Sequence, residues 1–376
     1  MMKFKVGLTI CAMLLGSVAA TGSASAQGEI LTAEAQFRVI SRANSTTETD
    51  GAFSILAADR PQLVQVPDAA WIQLQFSRFN LGRSTLQIRD LDTGELQTFT
   101  QAQLEAWEGR TGMFNSSRLS ISVDRARNER RRVFYQLNEI RVGEVVDSGP
   151  ATSVGIRSIC GVDNRVASAD VRVGRLVPVG CTAWIVGDNL FLTAGHCVAS
   201  GATTLQFNVP LSQPDGRLVN PPVSDQYAVV QSSIVSSNNG IGNDWALFRV
   251  AANTETGLLP RQAQGGQFAL ANNRTIRNAG IIGFGTDTGS ANQTQQAHSG
   301  PFVAFNGTAA TYAVDTTGGN SGSPVFSSAS GVAIAIHTNG GCTTSGGSNS
   351  GTSFRNATLW NAIQSTGDPG LILNPQ

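Results

Sequence analysis

The chain has 376 residues, 41% of them apolar and 14% charged, with 26 basic and 26 acidic side chains and therefore no formal net charge. That much apolar material can bury a core and the length suits two folded units, so disorder throughout is excluded. Zero net charge gives no basis for a nucleic-acid partner or an electrostatically held membrane surface, and abundant Gly with few aromatics fits an extracellular all-β protein.

In chain order, the first element is an address. Lys3 and Lys5 precede an apolar stretch from Val6 to Ala20, and Ala24-Ser25-Ala26 supplies small residues before Gln27. This predicts a signal peptide over residues 1–26 and a secreted or periplasmic protein. A membrane anchor needs about 20 uninterrupted apolar residues, and Thr21-Gly22-Ser23 breaks the run. Removing the segment removes Cys11 and leaves Cys160, Cys181, Cys197 and Cys342. An even count in an oxidising compartment predicts two disulfides, with three pairings open.

Residues 27–157 read as a β-rich N-terminal unit followed by a linker. Trp71 to Phe76, Leu86 to Arg89, Leu119 to Val123 and Tyr135 to Asn138 alternate apolar and polar residues between turn formers, the pattern of a small sandwich. Asp147-Ser148-Gly149-Pro150-Ala151-Thr152-Ser153 has no periodicity and marks a linker or processing site. From Ser158 onward Gly, Ser, Thr and Asn separate short β-like runs at Ala183 to Val186, Ala228 to Ile234, Ala246 to Val250 and Val332 to Ile336. Such spacing predicts a pair of antiparallel barrels over residues 158–376. Leu359, Trp360 and Ile363 share one face of a predicted C-terminal helix.

Three local patterns carry chemistry. Leu192-Thr193-Ala194-Gly195-His196-Cys197 places a histidine at a strand end, Asn243-Asp244-Trp245-Ala246-Leu247 puts an acid before an apolar strand, and Gly318-Gly319-Asn320-Ser321-Gly322-Ser323-Pro324 surrounds a serine with glycines. Singly, each has an ordinary reading as a structural histidine, a turn aspartate or a loop. Together, in this order, they supply what acyl transfer needs. A serine hydroxyl is a poor nucleophile at neutral pH, so an imidazole must take its proton and a carboxylate must fix that imidazole's tautomer. His196, Asp244 and Ser321 are the candidate triad. The N–H groups of Gly319 and Ser321 are the candidate oxyanion hole.

These motifs resemble those of the trypsin-like serine peptidases, and the segment from Ser158 to the C-terminus resembles the bacterial glutamyl endopeptidases. The similarity rests on Tyr312 to Phe326 around the candidate nucleophile, on Gly331 to Gly340 ending in His337-Thr338-Asn339-Gly340, on Ser158 to Arg165, and on Gln296 to Pro301. It covers none of the N-terminal unit. The resemblance implies a chymotrypsin-like double antiparallel β-barrel and a serine endopeptidase acting on protein or peptide substrates without metal or cofactor. It also implies a pocket in which His337 and Thr316 receive a glutamate side chain, a role that competes with a structural histidine at a strand end. It pairs Cys181 with Cys197, which leaves Cys160 with Cys342. Asn320 departs from the pancreatic-type pattern, where an aspartate pairs with a new N-terminus. Cys160 and Cys342 are not part of the glutamyl endopeptidase pattern.

Two rivals remain at this level. Asp315 lies six positions before Ser321, where trypsin carries the acid that binds Arg or Lys, so cleavage after basic residues is the alternative specificity. A chymotrypsin-fold binding protein without catalysis is the other, although no triad member is missing. An α/β-hydrolase is disfavoured because its acid precedes its histidine. Nine of the ten glutamates lie at or before Glu144, but the chain after residue 26 also lacks lysine, so composition does not decide. The N-terminal unit is either a removable prosegment or a retained binding module, and the linker and the family-like start at Ser158 predict cleavage after Arg157. No glutamate adjoins that bond, so a separate activating protease would make the cut.

Overall fold

The computed structural model describes residues 37–41, 56–57, 61–144 and 157–375. The predicted signal peptide at 1–26 and the linker motif at 147–153 lie outside the described residues.

The N-terminal unit holds strands β1 (Phe37–Ser41), β2 (Leu56–Ala57), β3 (Gln62–Gln65), β4 (Ala69–Asn80), β5 (Thr85–Asp90) and β6 (Leu96–Phe99). Helix α1 (Gln101–Ala106), β7 (Arg118–Asp124) and β8 (Phe134–Glu144) complete it. Two four-stranded antiparallel sheets result, one running β1-β8-β2 with β4 also on β8, the other β3-β7-β5-β6. The alternation seen in the sequence explains the layering. Ile72, Leu74 and Phe76 from one sheet and Leu86, Ile88, Leu119 and Ile121 from the other point into a single buried cluster. The predicted sandwich is present.

The remaining chain forms two further seven-stranded sheets. The first is built from β11 (Val173–Val177), β12 (Cys181–Ile185), β13 (Phe191–Thr193), β14 (Thr204–Gln206), β15 (Gln226–Ala228), β16 (Val235–Asn238) and β17 (Asp244–Phe248), after two short strands, β9 (Arg157–Ser158) and β10 (Val166–Ala167). Its order is β15-β14-β11-β12-β13-β17-β16, and a bridge between Val229 and Val250 curls its ends together. The expected strand from Ala228 to Ile234 stops early. Gln231 to Ser233 form a 3-10 turn instead, because the Ser233 hydroxyl and the Gln231 amide bond back to the Val230 and Val229 carbonyls.

The second sheet uses β18 (Asn278–Gly285), β19 (Thr294–Asn306), β20 (Ala309–Tyr312), β22 (Pro324–Ser327), β23 (Ala333–Asn339) and β26 (Asn349–Ser353), with β10 on its edge. Between these lie β21 (Thr316–Thr317), which pairs β9, and the hairpin β24 (Cys342–Thr343) with β25 (Gly346–Gly347). Pairing of β19 with β20 closes six strands into a barrel. Helices α2 (Gly195–Ala199), α3 (Pro260–Gln264) and α4 (Ala357–Ser365) are short. On α4, Leu359, Trp360 and Ile363 are buried as predicted, against Trp184, Phe268 and Phe354, and the Asn356 side chain caps the helix by accepting from the Leu359 N–H. That cluster runs between the two barrels and contributes about 1.5–3 kcal/mol for each fully buried large side chain. The expected fold, two antiparallel barrels with a C-terminal helix behind a β-rich unit, is the one found.

Candidate active site

His196 sits in α2, immediately after β13. Its helix lies so close to the neighbouring strands that a Cβ on Gly195 would meet the Ser237 carbonyl oxygen at 1.9 Å and that of Trp245 at 2.9 Å. Only glycine allows that approach. Asp244 begins β17 and is buried; its Oδ1 accepts from the His196 backbone N–H at 2.9 Å and its Oδ2 lies 2.5 Å from His196 Nδ1. The carboxylate thus holds both the backbone and the ring of one residue. Asp244 is itself fixed from the other barrel, where the Thr352 hydroxyl accepts from the Asp244 N–H at 3.0 Å and donates to its carbonyl at 2.7 Å. The Cys181–Cys197 disulfide ties α2 to β12 with a Cα separation of 6.1 Å.

Ser321 lies on the turn from β21 to β22. Its carbonyl accepts from the Thr182 N–H at 2.9 Å, the Gly322 N–H donates to the His337 carbonyl at 2.8 Å, and the His337 N–H donates to the Ser323 carbonyl at 2.9 Å. Gly319 and Gly322 have φ of 92° and 90°, and a Cβ on Gly322 would meet the Thr182 carbonyl at 2.1 Å. Asn320 turns its amide back to the Thr317 carbonyl at 3.2 Å. The Gly319 and Ser321 N–H groups donate to no acceptor among the described residues. Two unpartnered amides beside a serine are the arrangement an oxyanion hole requires.

The two expected pocket residues, His337 and Thr316, are each held by a partner that sequence reasoning missed. His337 is buried on β23, and its Nδ1 lies 2.7 Å from the Tyr312 hydroxyl. Burial, and then the charge of His196, push His337 down to about 3, so the ring stays neutral. Burial holds Tyr312 well above the usual phenol range, so it keeps its proton. We assign the Tyr312 O–H as donor to Nδ1, which leaves the ring proton of His337 on Nε2. Thr316 is buried and its hydroxyl accepts from Asn349 Nδ2 at 3.0 Å. The same Asn349 amide donates to the Val314 carbonyl at 2.7 Å, while its Oδ1 accepts from the Ser158 hydroxyl, from the Gly341 N–H at 2.8 Å and from the Cys342 N–H at 3.1 Å. Asn349 therefore locks the chain at Ser158 to the pocket strands, beside the Cys160–Cys342 disulfide, whose Cα atoms are 4.8 Å apart.

Asp315 is occupied elsewhere. Its Oδ1 accepts from the Cys160 N–H at 2.7 Å and its Oδ2 from the Asn164 N–H at 2.9 Å, and its own N–H donates to His298 Nδ1 at 2.8 Å. Both carboxylate oxygens serve the loop after Ser158.

A family model for the trypsin-like peptidase domain matches residues 181–336. Over 226 residues the chain is 25% identical to a glutamyl endopeptidase of Bacillus licheniformis, an alignment spanning 54% of this chain and 68% of that protein. The chain carries a trypsin-like peptidase domain. It is a serine endopeptidase, near the glutamyl endopeptidases. Among solved structures, a Glu endopeptidase in complex with MPD aligns with a TM-score of 0.42 and 20% identity over 55% of this chain and 98% of that one. The protease Anisep from Arthrobacter nicotinovorans aligns with a TM-score of 0.40 and 19% identity over 54% of this chain and 97% of that one.

Tyr312, Asn349 and Thr352 are the residues of the candidate site that the sequence did not single out. Tyr312 stood inside the family-like segment, where nothing in the sequence marked it as a partner of His337. Asn349 and Thr352 belong to the wholly polar run Asn349-Ser350-Gly351-Thr352-Ser353, which gives no strand signal. Cys181, His196 and Cys197 also bring potential metal-ligand atoms within 4.8 Å of one another. Both sulfurs are consumed by a disulfide, however, and it is the thiolate that binds metal. Among the described residues no helix is long and apolar enough to cross a membrane.

Proposed function

We propose that this peptidase is a secreted enzyme that cleaves peptide bonds after glutamate through an acyl-enzyme on Ser321. In the first half-reaction Ser321 Oγ attacks the scissile carbonyl carbon while His196 Nε2 takes the hydroxyl proton. The carbonyl oxygen becomes an oxyanion facing the Gly319 and Ser321 N–H groups, and Asp244 stabilises the imidazolium. Collapse breaks the C–N bond, and His196 returns the proton to the departing amine. Water then attacks the ester carbonyl, giving its proton to His196, and the serine leaves with that proton restored.

The observation that carries the specificity is the pair formed by neutral His337 and Tyr312. A ring held neutral with its proton on Nε2 can donate to a buried carboxylate, which needs such bonds once out of water. The same donor repels a cationic side chain. Asp315 supports this reading against cleavage after Arg or Lys, because its oxygens already accept from Cys160 and Asn164. Release from a signal peptide at 1–26 and processing after Arg157, by a protease of different specificity, belong to the same proposal. Arg157 is exposed next to Ser158 in β9.

Digestion of a mixed peptide library by the purified enzyme and by Ser321→Ala, with cut sites mapped by mass spectrometry, tests it. Cuts should fall after Glu, and Ser321→Ala should lose about 10^6-fold in rate. Cuts after Arg or Lys would overturn the specificity, and cutting independent of Ser321 would overturn the mechanism.

A further inference from the structure

The N-terminal unit is built into the peptidase more deeply than a detachable segment would be. Val223, Ala228 and Ala251 of the first barrel are buried in the same cluster as Ile72, Leu74, Phe76, Trp107 and Phe114. A second contact joins Trp71 and Met113 to Val177. Polar groups cross the seam in matched pairs. The buried Gln226 side chain accepts from the Met113 N–H and donates to the Met113 carbonyl, both at 2.9 Å, so its amide imitates a neighbouring strand. Asn115 and the Asn220 backbone make the same reciprocal contact, at 2.8 and 2.9 Å. The Trp107 indole N–H donates to the Ala252 carbonyl at 2.9 Å, and the buried Gln97 amide donates to Thr254 Oγ1 at 3.2 Å.

Stripping the unit away would cost Gln226 both of its bonds to Met113 and leave Val223, Ala228 and Ala251 uncovered. Buried polar groups matched this way resist separation, since each half would leave its donors and acceptors unpaired. The seat is also away from the reacting groups: no hydrogen bond among the described residues joins 61–144 to His196, Asp244, Ser321 or His337.

We propose that the N-terminal unit is a permanent subunit of the enzyme, which stays seated on the first barrel as a noncovalent partner after the chain is cut between residue 144 and Ser158. Processing then yields a two-chain peptidase. The proposal favours a retained unit over a released prosegment and does not depend on which residue the enzyme cleaves after.

The test places a recognition site for a sequence-specific protease within residues 145–156 of the full-length Ser321→Ala protein, cuts it, and follows fragment association by size-exclusion chromatography and denaturing gel. The two fragments should co-elute at the volume of the uncut chain at micromolar concentration and separate only in denaturant. Elution apart would overturn the proposal. A Cβ on Gly112 would meet Val223 Cγ1 at 2.9 Å, so Gly112→Val should weaken association of the cut fragments at least tenfold. Gln226→Leu attacks the same seam from the barrel side and should do likewise, which keeps the test decisive if Gly112→Val fails to fold. Unchanged association in both variants would overturn the assigned seam. Since the readout is size and the protein is inactive, failure here is distinct from failure of the glutamate reading.

Discussion

At the residue scale the proposed glutamate pocket turns on which nitrogen of His337 carries the proton. A solvated histidine would exchange tautomers and titrate near neutrality; this one is buried, kept neutral, and bonded at Nδ1 to a phenol that cannot readily ionise. Tyr312 never needs to touch the substrate to matter. In the proposed pocket its role is to aim the Nε2 proton, and Gly351 makes room for it, since a Cβ there would lie 3.0 Å from the Tyr312 oxygen. Tyr312→Phe removes one buried hydrogen bond, about 1–1.5 kcal/mol. We therefore expect kcat/KM for glutamate peptides to fall about tenfold per active site, counted by burst titration, with the residual cutting of other peptides little changed. An equal loss on all substrates would mean that Tyr312 supports only the fold.

At the scale of single elements, β26 shows how a site can be invisible to pattern reading. Asn349-Ser350-Gly351-Thr352-Ser353 has no apolar residue, yet all five are buried between β20 and β23. The burial is tolerated because the side chains are hydrogen-bonded: Asn349 to the pocket strands, Thr352 to both backbone groups of Asp244. Thr352→Val keeps the shape and deletes both bonds. It should lower stability by about 1–3 kcal/mol and reduce kcat more than it raises KM, because Asp244 and with it His196 lose their anchor from the second barrel. Thr352→Ser should restore most of the rate. If Ser and Val behave alike in steady-state kinetics, the cross-barrel bond does not position the base. The candidate triad motifs were legible because Gly195, Gly319 and Gly322 are forced by close backbone approaches that leave a sequence mark. β26 was not, because a satisfied buried amide looks in sequence like any loop Asn. The strand stopping at Ala228 was misread for the converse reason: Ser233 and Gln231 bond locally, and apolar neighbours mask it.

At the scale of the whole molecule, alternation along β4 to β8 told which faces were apolar but not what would cover them, so the seat of the N-terminal unit on the first barrel could not be read from the chain. Burial of one titratable group does have a global consequence. The folded protein binds a proton at His337 only near pH 3, whereas the unfolded chain binds it near the ordinary histidine value of about 6.5. Between those values the unfolded state holds more protons, so stability rises with pH and is lost as pH falls from about 6.5 toward 3, at no more than about 1.4 kcal/mol per pH unit. Aspartates whose pKa is lowered by partners, among them Asp163, Asp170 and Asp368, act below the ordinary aspartate value of 3.8 and leave the upper part of the window to histidine. Urea midpoints of Ser321→Ala and of Ser321→Ala with His337→Gln, taken from pH 7 to pH 4.5, should therefore converge as the pH falls. The glutamine protein starts less stable, having lost the ring's packing and its bond to Tyr312, but it has no proton to refuse. Parallel curves would show that His337 titrates normally in the folded enzyme, and a pocket built on a permanently neutral histidine would have to be abandoned.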